Sequence, residues 1–185
     1  YEVTGSVARG GMAHVFRGVS RAPVDQQRHV AVKRLLPNFG GNERFQAMFL
    51  EEARVVADLQ HPNIASFYEL CHDDGGMLCI VMEWVDGVDL SRMLLAARDV
   101  ARPVAVPDAA FIATSVLKAL SAAHRRASGP VFHRDVTPAN ILVSRAGEVK
   151  LTDFGLARAM DRMTVTLPGV VVGKLAYVAP ELIAA

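Results

Sequence analysis

Hydrophobic and polar positions along this chain change their period partway. From Tyr1 to Val85 the apolar residues fall in short β-type runs: Val3 to Val7, Ala13 to Val19, His29 to Leu35, Ile64 to Cys71 and Met77 to Glu83. One helical segment interrupts them, from about Glu43 to Leu59, with Phe45, Met48, Phe49, Ala53, Val56 and Leu59 on one stripe at helical spacing. Glu52 follows Phe49 by three residues and precedes Val56 by four, so it points with that stripe, whereas Glu51 lies about 100° around the helix. A carboxylate on that face either meets a cation or sits at the stripe's edge in water.

After Val85 the spacing becomes helical, with a segment from about Ser91 to Arg98 and a longer one from Asp108 to His124, for which Asp108 after Pro107 is the expected cap. Ala127-Ser128-Gly129-Pro130 ends it. Val131 to Arg134, Ile141 to Ser144 and Val149 to Thr152 read as short strands, the last two joined by a turn through Ala146-Gly147. The pattern predicts an α+β architecture: a small β-rich lobe over residues 1–85, a hinge near Glu83 to Gly87, and the front part of a helical lobe over residues 86–185.

Composition narrows the classes. With 51% apolar and 21% charged residues, the 185-residue chain fits one substantial globular core rather than a disordered segment. Twenty basic against nineteen acidic side chains give a net charge of +1, so no global field favours nucleic acid or an anionic membrane. The longest uncharged apolar stretches, such as Ala109 to Leu117, fall short of the roughly 20 residues that span a bilayer, so no membrane segment is expected. Cys71 and Cys79 flank the turn signal Asp73-Asp74-Gly75-Gly76 and are expected to be cross-strand neighbours, either as a disulfide or, as the preferred reading, as two reduced apolar side chains.

The chemistry is concentrated in one run, His133-Arg134-Asp135-Val136-Thr137-Pro138-Ala139-Asn140, followed by Asp153-Phe154-Gly155. An acid that can accept a proton, then an amide and a carboxylate that can hold a divalent metal, is the apparatus of phosphoryl transfer. Upstream stands Val30-Ala31-Val32-Lys33, and downstream Ala179-Pro180-Glu181. In this order the motifs resemble those of the eukaryotic-like serine/threonine protein kinases, most closely their bacterial branch, from the first residue to the last.

That resemblance implies a two-lobed protein-kinase-like fold, Mg-ATP-dependent phosphorylation of protein substrates, and roles for particular residues. Asp135 would take or orient the proton of the substrate hydroxyl, Lys33 would pair with Glu52, and Asn140 and Asp153 would hold Mg2+. The phosphate lid would be Ala8-Arg9-Gly10-Gly11-Met12-Ala13-His14-Val15, with alanine at the family's first and third glycines and hence a stiffer lid. Gly5 before it reads as turn chemistry. Val7, Val15, Ala31, Met82 and Leu142 would enclose the base, and backbone groups of Glu83 and Val85 would meet adenine. Asp89 matches a ribose-contacting position but equally suits a helix cap. His133 and Phe154, with Val56 and Phe67, match an apolar spine linking the lobes.

Two departures fall together. Thr137 stands where such kinases usually carry a lysine, and Lys174 where they usually carry a threonine; a reciprocal exchange is one reading, weakened activity with Lys174 as an unrelated surface charge the other. Arg134 beside the catalytic Asp suggests a loop ordered by phosphate on Thr164 or Thr166. The resemblance further implies a cytoplasmic catalytic domain, and the cut-looking ends leave room for sensor or interaction domains outside it. A competing class is a pseudokinase, a nucleotide-binding interaction module with a degenerate glycine-rich loop.

Overall fold

β-Branched and aromatic runs broken by turn residues build the first half of the chain into one antiparallel sheet. The computed structural model describes residues 1–21, 23, 27–154 and 177. Strands β1 (Glu2–Arg9), β2 (Ala13–Val19), β3 (His29–Leu35), β4 (Phe67–His72) and β5 (Leu78–Glu83) form this sheet in the order β1-β2-β3-β5-β4. Period two along β3 sends Ala31, Lys33 and Leu35 to one face and Val30 and Val32 to the other. On the second face Val30, Val32, Cys79 and Val81 form a small core. On the first, Leu35 and Ile80 pack with Phe49 and Ala53 of helix α2 (Glu43–Ala57).

Helix α2 begins where Asn42 accepts from the Arg44 and Phe45 amides and ends at Ala57, two residues short of Leu59, which follows as a buried residue. A short helix α1 (Pro37–Gly40), absent from the sequence expectation, precedes it, and Phe39 meets Phe45 at 4.4 Å between ring centroids. A single turn leaves too few residues for an apolar period.

Beyond the sheet lie β6 (Gly87–Asp89), α3 (Leu90–Asp99), α4 (Val106–His124), a 3-10 turn (Pro138–Asn140), β7 (Ile141–Ser144) and β8 (Val149–Leu151), with β6-β7-β8 as a second sheet. The main core joins both parts of the chain: Val56 and Leu59 pack with Ile112, Val116, Ala119, Ile141, Leu151 and Phe154, and Phe67 borders both this cluster and the one beneath the sheet. By length and composition α4 would pass as a membrane span, but its Ile112, Ser115, Val116, Ala119 and Ala123 are buried, the apolar ones against Val149 and Leu151.

Several expectations are corrected. Strand β1 extends beyond Val3 to Val7 at both ends, and Gly5 sits inside it at a register shift rather than in a turn. Ile64 is outside β4; it bridges in parallel to Leu151, where Ala65 N–H donates to Leu151 O and Leu151 N–H to Asn63 O. The chain therefore crosses toward the second sheet before β4 starts. Helix α4 is capped at Ala105 with Pro107 in its first turn, a position that lacks only an N–H the helix does not use, so Asp108 is interior to that turn. Val131 to Arg134 forms no strand: Arg134 has φ of 63°, a left-handed conformation that breaks extended pairing. Gly87, expected in the hinge, opens β6.

Cys71 and Cys79 are register partners in β4 and β5, as the turn between them requires, and both are free thiols. Burial pushes the Cys79 thiol up to about 11. Two ion pairs tie the parts together: Arg126 Nη2 to Asp58 Oδ2 at 2.6 Å links the loop after α4 to the end of α2, and Lys150 Nζ to Glu83 Oε1 at 2.8 Å links β8 to the end of β5.

A Cβ on Gly87 would stand 2.0 Å from Val143 O and 2.7 Å from Ser144 Cα, both backbone atoms of the paired strand. Gly87→Ala is expected to lower unfolding free energy by about 2 kcal/mol or more, read by denaturant titration; an unchanged midpoint would contradict the β6–β7 register.

Candidate functional site

Strand β3 delivers Lys33 to the α2-facing side of the sheet, and the buried stripe of α2 delivers Glu52 to meet it. Lys33 Nζ donates to Glu52 Oε1 at 2.5 Å and to Asp153 Oδ1 at 2.7 Å. Glu51, one residue earlier, is exposed. Lys33 and Glu52 are almost fully enclosed, with side chains 5% and 2% exposed, while Asp153 is 29% exposed.

One ammonium shared between two carboxylates leaves a net negative charge in an enclosed space. Burial alone would strip the proton from Lys33, but Asp153 and Glu52 override it and hold the lysine above its ordinary value. Burial pushes the Glu52 carboxyl up to about 7, against the pull of Lys33 and with a further push from Asp153. The two directions are compatible, because a single cation satisfies only one carboxylate fully and burial disfavours the charged form of Glu52. Glu52 Oε2 has no hydrogen-bond partner among the described residues.

Asp135 and Asn140 come from the loop and 3-10 turn ahead of β7. Asn140 Nδ2 donates to Asp135 O at 2.8 Å and to Asp135 Oδ2 at 3.0 Å, so the atom this amide can present to a cation is its carbonyl oxygen. Thr152 N–H donates to Asn140 O at 3.0 Å, which seats the residue before Asp153 beside the turn. The five polar residues predicted for the site thus lie on one bonded path: Glu52, Lys33, Asp153, then through Thr152 to Asn140 and Asp135.

His133 fixes this loop from below. Its Nε2 lies 2.8 Å from Thr152 O, a carbonyl that can only accept, so the ring proton resides on Nε2. Nδ1 is then the acceptor for the Asp135 amide at 3.2 Å. Burial lowers the His133 pKa. The ring packs on Phe154 at 4.6 Å between centroids, and Phe154, Val56 and Phe67 belong to the same apolar cluster. Arg134 and Asp153, both with φ of 63°, are strained residues flanking this network.

The sheet register supplies the remaining surfaces. Val15 is paired with Lys33 and Ala31 with Met82, so these side chains line one face, with Ala31 and Lys33 buried. Val7 and Ala8 lie just before Arg9, the last residue of β1; Gly10 N–H donates to Ala13 O at 2.9 Å, closing the β1–β2 turn. The methyl of Ala13 is buried against Leu35, and neither Ala8 nor Ala13 is left-handed, so both alanines fit the lid backbone. In the hinge the Glu83 N–H is used by Ser66 O at 2.8 Å, whereas Val85 has no backbone partner among the described residues. Leu142 on β7 is the register partner of Asp89, whose carboxylate caps α3 by accepting from Arg92 N–H at 2.9 Å. Thr137 immediately precedes the 3-10 turn, its carbonyl accepting from Asn140 N–H. Gly155, Thr164, Thr166, Lys174 and Ala179-Pro180-Glu181 lie outside the described residues.

Sequence reasoning missed Lys150, whose buried ammonium meets Glu83. An alternating strand lysine reads as solvated until its partner strand is known. Likewise the tautomer of His133 has no signature in the run that contains it.

Protonating His133 at Nδ1 would remove the acceptor of the Asp135 amide. A buried imidazole with a depressed pKa contributes stability above its ordinary value near 6.5 that is lost as pH falls below it. The advantage of wild type over His133→Phe in unfolding free energy is therefore expected to shrink between pH 7 and pH 5. A difference that stays constant, or grows, would mean the ring is not held neutral.

With this geometry in view, comparison with known proteins is direct. The protein kinase domain family model matches residues 1–185. Over 98% of this chain, identity is 40% to the serine/threonine-protein kinase PknL of Mycobacterium tuberculosis, 37% to the tyrosine-protein kinase MasK of Myxococcus xanthus and 36% to a probable serine/threonine-protein kinase PknB of Lactococcus lactis. The chain spans 43%, 29% and 27% of those proteins' lengths, respectively. The crystal structure of the M. tuberculosis PknI kinase domain superposes with a TM-score of 0.66 at 30% identity, over 83% of this chain and 57% of that one. The chain belongs to the protein kinase domain family.

Proposed function

We propose that this chain, as the N-lobe and opening part of the C-lobe of a kinase domain, transfers the terminal phosphoryl group of ATP to serine or threonine hydroxyls of proteins. The observation that carries the reading is the bonded path from Glu52 through Lys33 and Asp153 to Asn140 and Asp135. In the proposal, Lys33 contacts phosphate oxygens and is oriented by Glu52. Asp135, held by Asn140 through its side chain and by His133 through its amide, receives the substrate hydroxyl and its proton. Ala31 leaves room for a flat base, and the unpaired backbone groups of Val85 offer it a donor and an acceptor.

The donor set fits Mg2+. Among the described residues no three His, Cys, Asp or Glu side chains cluster, and an ion held by one carboxylate and one amide oxygen completes its shell with phosphate oxygens and water. Mg2+ bound by Asp153 and Asn140 would neutralise phosphate charge as it spreads over the peripheral oxygens. Where the relatives named above divide, between serine/threonine and tyrosine kinases, Gly173-Lys174-Leu175-Ala176-Tyr177 supports the former. Regulation belongs to the same proposal: exposed Arg134 beside Asp135 suits a phosphate carried by Thr164 or Thr166.

Asp135→Asn preserves volume but removes the proton acceptor. Phosphate transfer from labelled ATP to serine, threonine and tyrosine peptides is expected to fall by about 10^2–10^4-fold, with the wild type modifying serine and threonine. Transfer that survives the substitution would assign the base elsewhere. In active full-length protein, mass spectrometry is expected to find phosphate on Thr164 or Thr166, and its absence from both would remove the regulatory part of the reading.

A further inference from the structure

The cleft-facing side of the sheet does not end at the nucleotide residues. Alternation on β2 and β3 continues one pleat past Val15 to Arg17 and one pleat past Ala31 to His29, about 7 Å farther from the catalytic end. There the face borders a cavity of about 550 Å³, closed on one side by Thr4 and Ser6 of β1 and on the other by Trp84 of the hinge and Arg92 of α3. It adjoins the lid through Val7.

The chemistry of this cavity is one-sided. No carboxylate lines it among the described residues. Arg17 is half-buried and has no carboxylate partner among the described residues; its guanidinium lies 5.2 Å from the centroid of the Trp84 ring and 3.4 Å from His29 Nε2. A guanidinium can only donate, so His29 presents a lone pair to it, and among the described residues the positive charge meets a π face and an imidazole rather than a carboxylate. The Trp84 indole N–H is buried and has no acceptor among the described residues. Arg92, opposite, shares Asp89 at 3.3 Å and remains 64% exposed. Of the two arginines, Arg92 has Asp89 and Arg17 has no carboxylate among the described residues, so the charge left on Arg17 at the edge of an open space calls for an anion. The space exceeds a single small ion, its cations stand on both sides of the cleft mouth, and the net charge of +1 supplies no field for a nucleic acid.

Resting on the kinase reading, we propose that this cavity binds acidic side chains of the protein substrate, so that the enzyme prefers hydroxyls near a run of glutamates or aspartates. Arg17 and Arg92 are its specificity-determining residues. Neither takes part in the phosphoryl-transfer network.

The test uses the full-length protein and two fluorescent peptides with one serine each, preceded either by four glutamates or by four alanines. Wild type is expected to favour the acidic peptide by about tenfold in both Kd and kcat/KM. Arg17→Gln and Arg92→Gln should each cut that preference to about threefold or less, Arg17→Lys should keep most of it, and added salt should erode it. Turnover of the alanine peptide should remain within about twofold in all three variants. Equal affinity for the two peptides, or a preference untouched by both glutamine variants, overturns the inference. Displacement of the acidic peptide by a short uridine oligonucleotide or by 10 mM inorganic phosphate would also overturn it, reassigning the cavity to phosphate. Selective binding dependent on Arg17 and Arg92 but without transfer to either peptide would sink the kinase reading while leaving an acidic-peptide cavity.

Discussion

The site depends on one ammonium held out of water between two carboxylates. Lys33 comes from β3, Glu52 from the middle of α2 and Asp153 from the segment after β8, so three stretches distant in sequence have a common meeting point. Such a cluster adds little net stability, because desolvating the charges offsets most of their attraction. Glu52 Oε2, without a partner among the described residues, shows that the compensation is incomplete. What the cluster provides is position: losing one member strands a buried charge, so sheet and helix must be set together or the lysine cannot be buried at all.

Around this cation the backbone is held in conformations it would not choose. Left-handed Arg134 and Asp153 each cost about 1–3 kcal/mol, and the restraint comes from a few specific bonds: His133 to Thr152, Thr152 to Asn140 and Asn140 to Asp135. The buried ring of Phe154 anchors the residue after Asp153 in the main core. Lys150 adds a second tie, since it joins the strand leading to Asp153 with the glutamate that ends β5, donating to both its carboxylate oxygens, of which Oε2 also accepts from the Ser66 amide. The end of β5 and the segment carrying Asp153 are thereby braced against each other.

Most of this was legible where a residue's neighbours are set by local periodicity. Strands β2 and β3 run as the alternation required, and helical spacing put Glu52 with the apolar stripe, though it took the family resemblance to make it rather than Glu51 the partner of Lys33. Lys33, Asp135, Asn140 and Asp153 were readable as a group because each is embedded in a run that resembles a motif of the protein kinase domain family. Legibility failed where long-range pairing decides. Ile64 has the composition of a strand residue but is claimed by Leu151, and Gly87 belongs to a strand only because Val143 and Ser144 lie against it. Val131 to Arg134 is apolar enough for a strand, yet the bonds of His133 force a left-handed turn on its neighbour. The cavity beside Trp84 was invisible for a related reason: Arg17, His29 and Arg92 are scattered in sequence, and it takes the register of β2 with β3 and the placement of α3 to gather them.

Helix α2 is fastened unequally along its length. Val56 and Leu59 sit in the main core and Asp58 is tied to Arg126, whereas the first turn at Glu43 and Arg44 faces solvent. Glu52 lies between these two regimes, about 14 Å along the axis from Glu43 and about 8 Å from Ala57 at 1.5 Å per residue. Phe49 and Ala53, on either side of it, are sealed in the core beneath the sheet. Fraying that starts at the exposed end must therefore loosen the Phe49 ring before it reaches the ion pair. The aromatic side chain acts as a stop that keeps end disorder away from the buried cation.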